Sequence, residues 1–343
     1  MKKILAVVLL FSLFSVMLVS CDESKTETSF DKTEQVRVLT ISGPTGMGMA
    51  QMMKKNKDGS SRGRYDFKVT ASPNDILASI VSGETDIAAC PINLASKIYH
   101  KTGGSVQILA VNTLGVLYIV TNGVKIRSFS ELDGKTVVAS GSGAIPEVVM
   151  DLLCQKTGIS VDVQYVDTFA NAAGLLASGE VQIAMLAEPS VSSALLQNKD
   201  LKIALNLNDV FEKVTESDKI SENSASEQKT KQSLIQGCVI VRTEFAKEHP
   251  EEIEAFLKDY KESVDFVTAL ENADAAAGYC EEFSILPKAA IAKQAFPRSS
   301  IVLLTGEEMK KEAAGMLQEL YRIDPASIGG KLPERDFYYE TQT

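Results

Sequence analysis

Ser82-Gly83-Glu84-Thr85-Asp86-Ile87-Ala88-Ala89-Cys90-Pro91 decides the fold. A small polar turn leads into an apolar run too short for a helix, and a proline closes it. Such a run is a strand buried on both faces, as in a sheet covered by helices on each side. The pattern returns as Ser178-Gly179-Glu180-Val181-Gln182-Ile183-Ala184-Met185-Leu186-Ala187-Glu188-Pro189. Upstream of each copy, Ser42-Gly43 returns as Ser140-Gly141. Features recurring in one order at a nearly constant offset mark an internal repeat of two similar α/β lobes.

The neighbouring segments fit this reading. Val36 to Ile41, Tyr65 to Ala71, Asp86 to Cys90 and Val106 to Val111 form the strands of the first copy. Thr136 to Ala139, Val161 to Val166, Val181 to Leu186 and Leu201 to Leu205 form those of the second. Helical stretches alternate with them, which predicts a parallel sheet in each lobe. Thr215 to Gln232 is polar and predicts a surface excursion. Cys238 to Val241 is a further strand, and the chain from Thr243 is mostly helical.

The amino terminus is different. Lys2 and Lys3 precede an apolar stretch from Ile4 to Val19, followed by Ser20-Cys21. A basic start, an apolar run and a small residue before a cleavage point describe a secretory signal over residues 1–20. Leu18-Val19-Ser20-Cys21 resembles the bacterial lipobox, which implies cleavage before Cys21 and its diacylation. Residues 21–35 are too polar to build a core and form a tether. The expected place is the bacterial cell envelope, lipid-anchored and extracytoplasmic. Four other cysteines, Cys90, Cys154, Cys238 and Cys280, lack CxxC spacing and lie in or beside apolar segments. They are expected as buried thiols rather than disulfides or metal ligands.

Composition narrows the chemistry. The chain has 343 residues, with 35 basic against 45 acidic side chains and a net charge of −10. An acidic surface repels phosphate backbones and excludes a nucleic-acid partner. There are 2 histidines, His100 and His249, too few for a His-built metal centre and a poor basis for a His-based triad. No GxSxG, GxxxxGK[ST] or HExxH occurs, and Ser140-Gly141-Ser142-Gly143-Ala144 has the wrong spacing for a dinucleotide loop. The expectation is a protein without a catalytic residue set, metal or cofactor.

In open parallel sheets, ligands bind where strands run into helices. Two such turns are helix starts: Pro44 to Met47 in the first lobe and Gly143 to Pro146 in the second. Free backbone N–H groups there favour an anion or another hydrogen-bond acceptor. Equivalent turns in both lobes point to a ligand held between them.

At these residues the sequence resembles a known family. The lipobox, the two lobes, Gly43-Pro44-Thr45-Gly46-Met47-Gly48 and Asn112-Thr113-Leu114-Gly115-Val116-Leu117-Tyr118 look like an ABC-transporter substrate-binding lipoprotein. Within these, it is similar to the group binding sulfonates, nitrate and thiamine-pyrimidine precursors. Ser130-Glu131-Leu132-Asp133-Gly134-Lys135-Thr136-Val137 fits the stretch with which such proteins enter the second lobe. The resemblance implies an α/β, type II periplasmic-binding-protein fold with a ligand cleft between two similar lobes. Lobe 1 would comprise 36–115 plus 238–343, and lobe 2 would comprise 116–237. The crossings would fall near Leu114–Thr121 and Ile235–Val241, with the C-terminal helices returning to lobe 1.

The resemblance also implies ligand contacts from Ser42, Gly43, Pro44, Thr45, Gly46, Met47, Asn74, Pro91, Asn93, Asn112, Thr113, Ser142, Gly143, Ala144 and Glu188. Asn93 offers both donor and acceptor, or caps its helix. Glu188 takes a cationic ligand edge or is a solvated loop charge. Met49, Met52 and Met53 are expected in the core. No Arg falls in these loops, which speaks against an anionic ligand. The implied function is capture of a small organic metabolite by a monomer that delivers it to a membrane ABC permease. An enzyme on the same fold or a ligand-sensing lipoprotein are the alternatives. Replacing Cys21 with Ala should abolish incorporation of labelled palmitate in a bacterial host and move the protein from the membrane to the soluble envelope fraction; unchanged membrane retention would refute the anchor.

Overall fold

The structure, a computed structural model, describes residues 34–221 and 232–340. The leader, Cys21, most of the tether and part of the polar excursion lie outside the described residues.

The chain runs β1 (Gln35–Ile41), α1 (Pro44–Met47), α2 (Ala50–Lys57), β2 (Arg64–Thr70), α3 (Pro73–Val81), β3 (Ile87–Pro91), α4 (Ile92–Lys101) and β4 (Val106–Leu114). It continues with β5 (Leu117–Thr121), β6 (Thr136–Ala139), α5 (Ile145–Thr157), β7 (Asp162–Tyr165), α6 (Phe169–Ser178), β8 (Ile183–Ala187), α7 (Ser190–Gln197), β9 (Lys202–Asn206) and α8 (Leu207–Ser221). The last part holds β10 (Ile235–Arg242), α9 (Thr243–Glu248), α10 (Pro250–Thr268), α11 (Ala273–Glu282), α12 (Ala289–Ala295), β11 (Ile301–Leu304) and α13 (Gly306–Ile323).

Two sheets result, with strand orders β11-β4-β10-β3-β1-β2 and β7-β6-β8-β5-β9. The repeat holds in three dimensions. In each sheet the second and third strands of the copy flank the first, and an antiparallel strand then separates them from the fourth. Gly43 and Gly141 hold left-handed φ values of 93° and 92° after β1 and β6. Gly83 and Gly179, before β3 and β8, hold 74° and 84°. Only glycine enters this region without steric cost, which explains why the sequence repeats a glycine at both turns.

Three expectations need correction. The sheets are mixed, not parallel: β10 runs antiparallel between β3 and β4, and β5 antiparallel between β8 and β9. These are the strands by which the chain enters each sheet from the other. A strand buried on all sides reads the same in either direction, so hydrophobicity alone does not reveal its polarity. Second, β10 begins at Ile235 inside the first sheet, so the return crossing is complete before Ile235–Val241 and a boundary after 237 cuts the strand. The outward crossing narrows to Gly115 and Val116, because Leu117 to Thr121 is already strand. Third, helix α8 runs to Ser221, so the segment expected as a surface excursion from Thr215 begins as a helix. Phe211 and Thr215 on its inner side are buried, a three–four spacing obscured by its charged residues.

The core is built from the strands' apolar runs. One face of the first sheet packs Val36, Val38, Ile87, Ala89 and Val239 against Met49, Met52, Phe256 and Tyr260. On the other face a continuous apolar layer joins Ile108 and Val111 of the first sheet to Ile119, Val137 and Met185 of the second. Met316, Leu317 and Leu320 of α13 complete that layer, and α13 packs against both β4 and α5. The C-terminal helix therefore braces both sheets, whereas the resemblance placed it with the first lobe.

At the outward crossing, Gly115 has no room for a side chain: a Cβ there would lie 2.9 Å from both Asn208 Cβ and Leu234 Cδ2. Ser300 Oγ donates to the Gly115 carbonyl at 3.0 Å, and Leu234 N donates to Asn208 Oδ1 at 3.2 Å. Both crossings thus meet at Asn208. Gly115→Ala should destabilise the protein by about 1–3 kcal/mol through overpacking. Gly278→Ala, in α11 with open space around it, should stabilise by up to about 1 kcal/mol by restricting the unfolded chain. Urea unfolding midpoints would check the opposite signs.

Candidate functional site

The central strands β3, β5 and β8 are almost wholly apolar and buried, so their polar neighbours lie where the strands end. Helix α1 sits over the carboxyl ends of β1, β3 and β4 and the start of β10. Pro44, Thr45, Gly46 and Met47 are all buried there. The approach is close. A Cβ on Gly46 would meet the Ile41 carbonyl at 2.6 Å, and one on Gly237 would meet Thr45 Oγ1 at 2.7 Å and Asn112 Oδ1 at 2.8 Å. Gly237 is opposite Pro91 on one side and Thr113 on the other. The ends of three strands therefore gather Thr45, Pro91, Asn112 and Thr113 around a glycine.

The gathered residues divide by what their polar atoms do. Asn112 donates from Nδ2 to the Thr45 carbonyl at 2.9 Å and to Tyr260 Oη at 3.0 Å. Its Oδ1 accepts from Thr113 Oγ1 at 3.2 Å. Burial pushes Tyr260 above the ordinary phenol range, so it stays a neutral hydroxyl there. Asn112 and Thr113 thus shape the turn and have their capacity used. Met47 is fully buried and belongs to the core with Met49, Met52 and Met53; Ser299 Oγ lies 3.6 Å from its Sδ. By contrast, the Asn93 amide and the Thr45 hydroxyl, on residues 7% and 6% exposed, make no hydrogen bond among the described residues, yet neither is a side-chain atom buried without a partner, so both touch solvent. Asn93 is the second residue of α4 and does not cap it.

The two sheets meet at their turns. Gly43 faces Pro189, 3.8 Å from where its Cβ would be. An open cavity of about 480 Å³ is lined by Ser42, Gly43, Thr70, Pro189, Glu281 and Pro287, which come from both halves of the chain. A larger recess of about 860 Å³ lies at the opposite end of the first sheet, around Gly83, Lys101 and Arg242. The helix starts and the unbonded polar groups are at the carboxyl ends, where open α/β sheets bind ligands.

Glu188 is neither solvated nor open. Its side chain is fully buried. Ser192 donates to it from both backbone N and Oγ at 3.1 Å, and Arg298 Nε donates to Oε1 at 2.5 Å. Arg298 also reaches Ser192 Oγ at 2.7 Å, and its carbonyl accepts from Tyr118 Oη at 2.9 Å. This junction ties the segment before β11 to β5 and α7. Burial raises the Glu188 carboxyl above its ordinary value, more than Arg298 and Ser192 lower it. Burial, with Glu188 adding to it, pushes Tyr118 up to about 12. Arg298 had no sequence signal, since it lies far from Glu188 in the chain and outside the strand-end loops.

The remaining positions stand apart. Asn74 is exposed on α3. Ser142 and Gly143 are exposed and Ala144 is half-buried. Their turn is already filled by an anion: Glu147 Oε2 accepts from Gly143 N at 2.5 Å and Ser142 Oγ at 3.2 Å. An acid in the first turn of α5 was the available signal for this self-cap. Among the described residues no group of three or more His, Cys, Asp or Glu is gathered as a metal site, and no helix is long and apolar enough to cross a membrane.

The Glu188 junction has a defined pH sign. A carboxyl raised by folding contributes stability present at acidic pH and lost as pH rises through its raised value. Arg298 opposes that loss. Arg298→Met should cost about 3 kcal/mol at neutral pH, by stranding a buried carboxylate, and much less at pH values where Glu188 is protonated. Glu188→Gln should cost only about 1 kcal/mol, because Arg298 keeps access to water. Denaturation curves across pH would check this order; equal costs at all pH values would exclude it.

No curated protein matches the chain in sequence. Solved structures do match its fold. An ABC transporter protein from Parabacteroides distasonis is 21% identical, with a TM-score of 0.71 over 90% of this chain and 99% of the other. The periplasmic aliphatic sulphonate binding protein from Escherichia coli is 14% identical, with a TM-score of 0.65 over 90% and 93%. The periplasmic nitrate-binding protein from Synechocystis is 13% identical, with a TM-score of 0.57 over 84% and 81%. The mixed five- and six-stranded sheets thus have the two-lobed architecture of periplasmic binding proteins. Residues 66–275 match the family described as NMT1/THI5 like, and the chain belongs to that family.

Proposed function

We propose that the chain is an extracytoplasmic solute-binding lipoprotein. It captures a small organic metabolite between two lobes and hands it to an ABC importer in the membrane. The lobes are built on the two sheets, one from 36–115 plus the C-terminal part and the other from the segment between the crossings. The observation that carries the reading is the meeting of Gly43 and Pro189 over an open cavity, with the unbonded Thr45 hydroxyl two residues along the chain from Gly43 and the unbonded Asn93 amide at the start of α4, two residues past Pro91. Those polar groups await hydrogen bonds that the protein does not supply. Among the similar structures, one from Staphylococcus aureus is described as the ligand-binding component of an ABC-type import system and those from Escherichia coli and Synechocystis as periplasmic binding proteins, which supports the same role here.

The ligand is held by Ser42 to Gly46 and by Pro91 and Asn93 on the first lobe. Closure brings Ser142 to Ala144 and the turn around Glu188 and Pro189 over it. The protein works as a monomer, without cofactor, anchored through Cys21. The Arg298 guanidinium is engaged by Glu188, so the ligand's polar contacts fall to neutral amide and hydroxyl groups.

Thermal-shift screening of the purified protein against nutrient classes should find a metabolite that stabilises it. Asn93→Ala should then weaken binding of that metabolite by about 10–100-fold. The same change should leave the unliganded melting temperature nearly unaltered, because Asn93 gives up no protein hydrogen bond. Titration calorimetry would check it. Catalytic turnover of the stabilising compound would overturn the transport reading.

A further inference from the structure

Cys238 on β10 lies directly opposite Cys90 on β3 in an antiparallel ladder, flanked by the pairs Gly237–Pro91 and Val239–Ala89. Both residues are fully buried, and both thiols are free in the structure. Directly opposed residues in such a ladder have Cα atoms about 4.5–5.5 Å apart, inside the range of about 4.4–6.8 Å that a disulfide spans. The two residues are far apart in sequence, on either side of the segment that forms the second sheet. A bond here would close nearly the whole second lobe into one covalent loop. It would also fasten the strand that returns from that lobe, one residue from the Pro91–Gly237 floor of the candidate site.

From this register we propose that Cys90 and Cys238 form a structural disulfide when the chain folds in an oxidising compartment. The expectation of such a compartment rests on the envelope location proposed above; the sulfur chemistry does not. The oxidant is another disulfide, such as that of an envelope thiol–disulfide exchange protein or of glutathione. One cysteine thiolate attacks the oxidant's sulfur and expels a thiolate, giving a mixed disulfide. The second attacks the first cysteine's sulfur, forms the Cys90–Cys238 bond and expels the other thiolate. The protein loses two electrons and two protons, and the oxidant takes up both as two thiols.

The packing also sets when this happens. Burial pushes the Cys238 thiol well above its ordinary value, and the neighbouring Cys90 raises it further. A thiol that does not ionise is a poor nucleophile. Exchange therefore belongs to the stage before β10 closes into the sheet. Once formed, the bond is shielded from reductants for the same reason. Cys154 and Cys280 have no such partner: Cys154 lies on α5 of the second sheet and Cys280 on α11 of the first.

The test is to unfold the full chain with reductant, remove the reductant and refold in glutathione disulfide. Denaturation with an alkylating reagent and peptide mapping without reduction then follow. The expected map shows one linked peptide joining Cys90 to Cys238, with Cys154 and Cys280 alkylated. Native dithiothreitol should leave the link intact and dithiothreitol in denaturant should break it. Reduction should lower the thermal midpoint on the order of 10 °C, and the Cys90→Ala/Cys238→Ala double variant should show no change with reductant. Alkylation of both Cys90 and Cys238 after refolding, or linkage to other cysteines, would overturn the proposal. A linked protein that binds no metabolite would leave the disulfide standing and remove the transport reading.

Discussion

The first sheet depends on one strand that arrives late. β10 inserts between β3 and β4, which are otherwise unpaired along that edge, and it runs against both. Its insertion completes the backbone hydrogen bonding of two buried strands, whose unpaired N–H and C=O groups would each cost as much as a lost hydrogen bond. The site inherits its geometry from the same strand. Gly237 lets Thr45 and Asn112 approach, and Ile235 is the partner of Leu114 beside the crossing. The second sheet is built the same way with β5 in that role, so each half of the chain depends on a strand delivered from the other.

Buried carboxylates show how this delivery is pinned. Asp86, before β3, is nearly inaccessible and pairs with Arg37 of β1 and Arg242 of β10. Burial alone would raise its pKa, but the hydrogen bonds from both arginines bring it below the ordinary value. Its stabilising contribution is therefore present at neutral pH and lost as pH falls. At Glu188 the balance is reversed, because one arginine and one serine do not offset desolvation. One clamp joins strands within the first sheet and the other joins the two sheets. The stronger compensation lies where no motion is needed, and the weaker lies where two lobes would part. Asp259 makes a third clamp, accepting from Arg62, Gly63 N and Tyr65 Oη and holding α10 to the start of β2.

Function follows from where polar groups are allowed. Strands buried on both faces leave no place for them except the ends, and helix starts at those ends supply N–H groups. Most of these groups are satisfied internally: Glu147 accepts from the second-lobe turn, the Gly43 carbonyl accepts from Gly46 N and Met47 N in the first, and Ser192 and Arg298 donate to Glu188. What remains, Asn93 and Thr45, is small and neutral.

The sequence by itself determined the repeat, the apolar strands and the glycine turns. These are local matters: a positive φ requires glycine, and a strand buried on both faces requires an unbroken apolar run. Thr45, Pro91 and Asn112 lie around Gly237 in the fold. Tertiary structure alone decided strand direction, because β5 and β10 carry the same residue types either way. It also decided that Glu188 meets Arg298, that Cys90 meets Cys238 and that α13 spans both sheets. Those contacts join residues remote in the chain, and no spacing rule along a sequence records which distant segments burial will bring together.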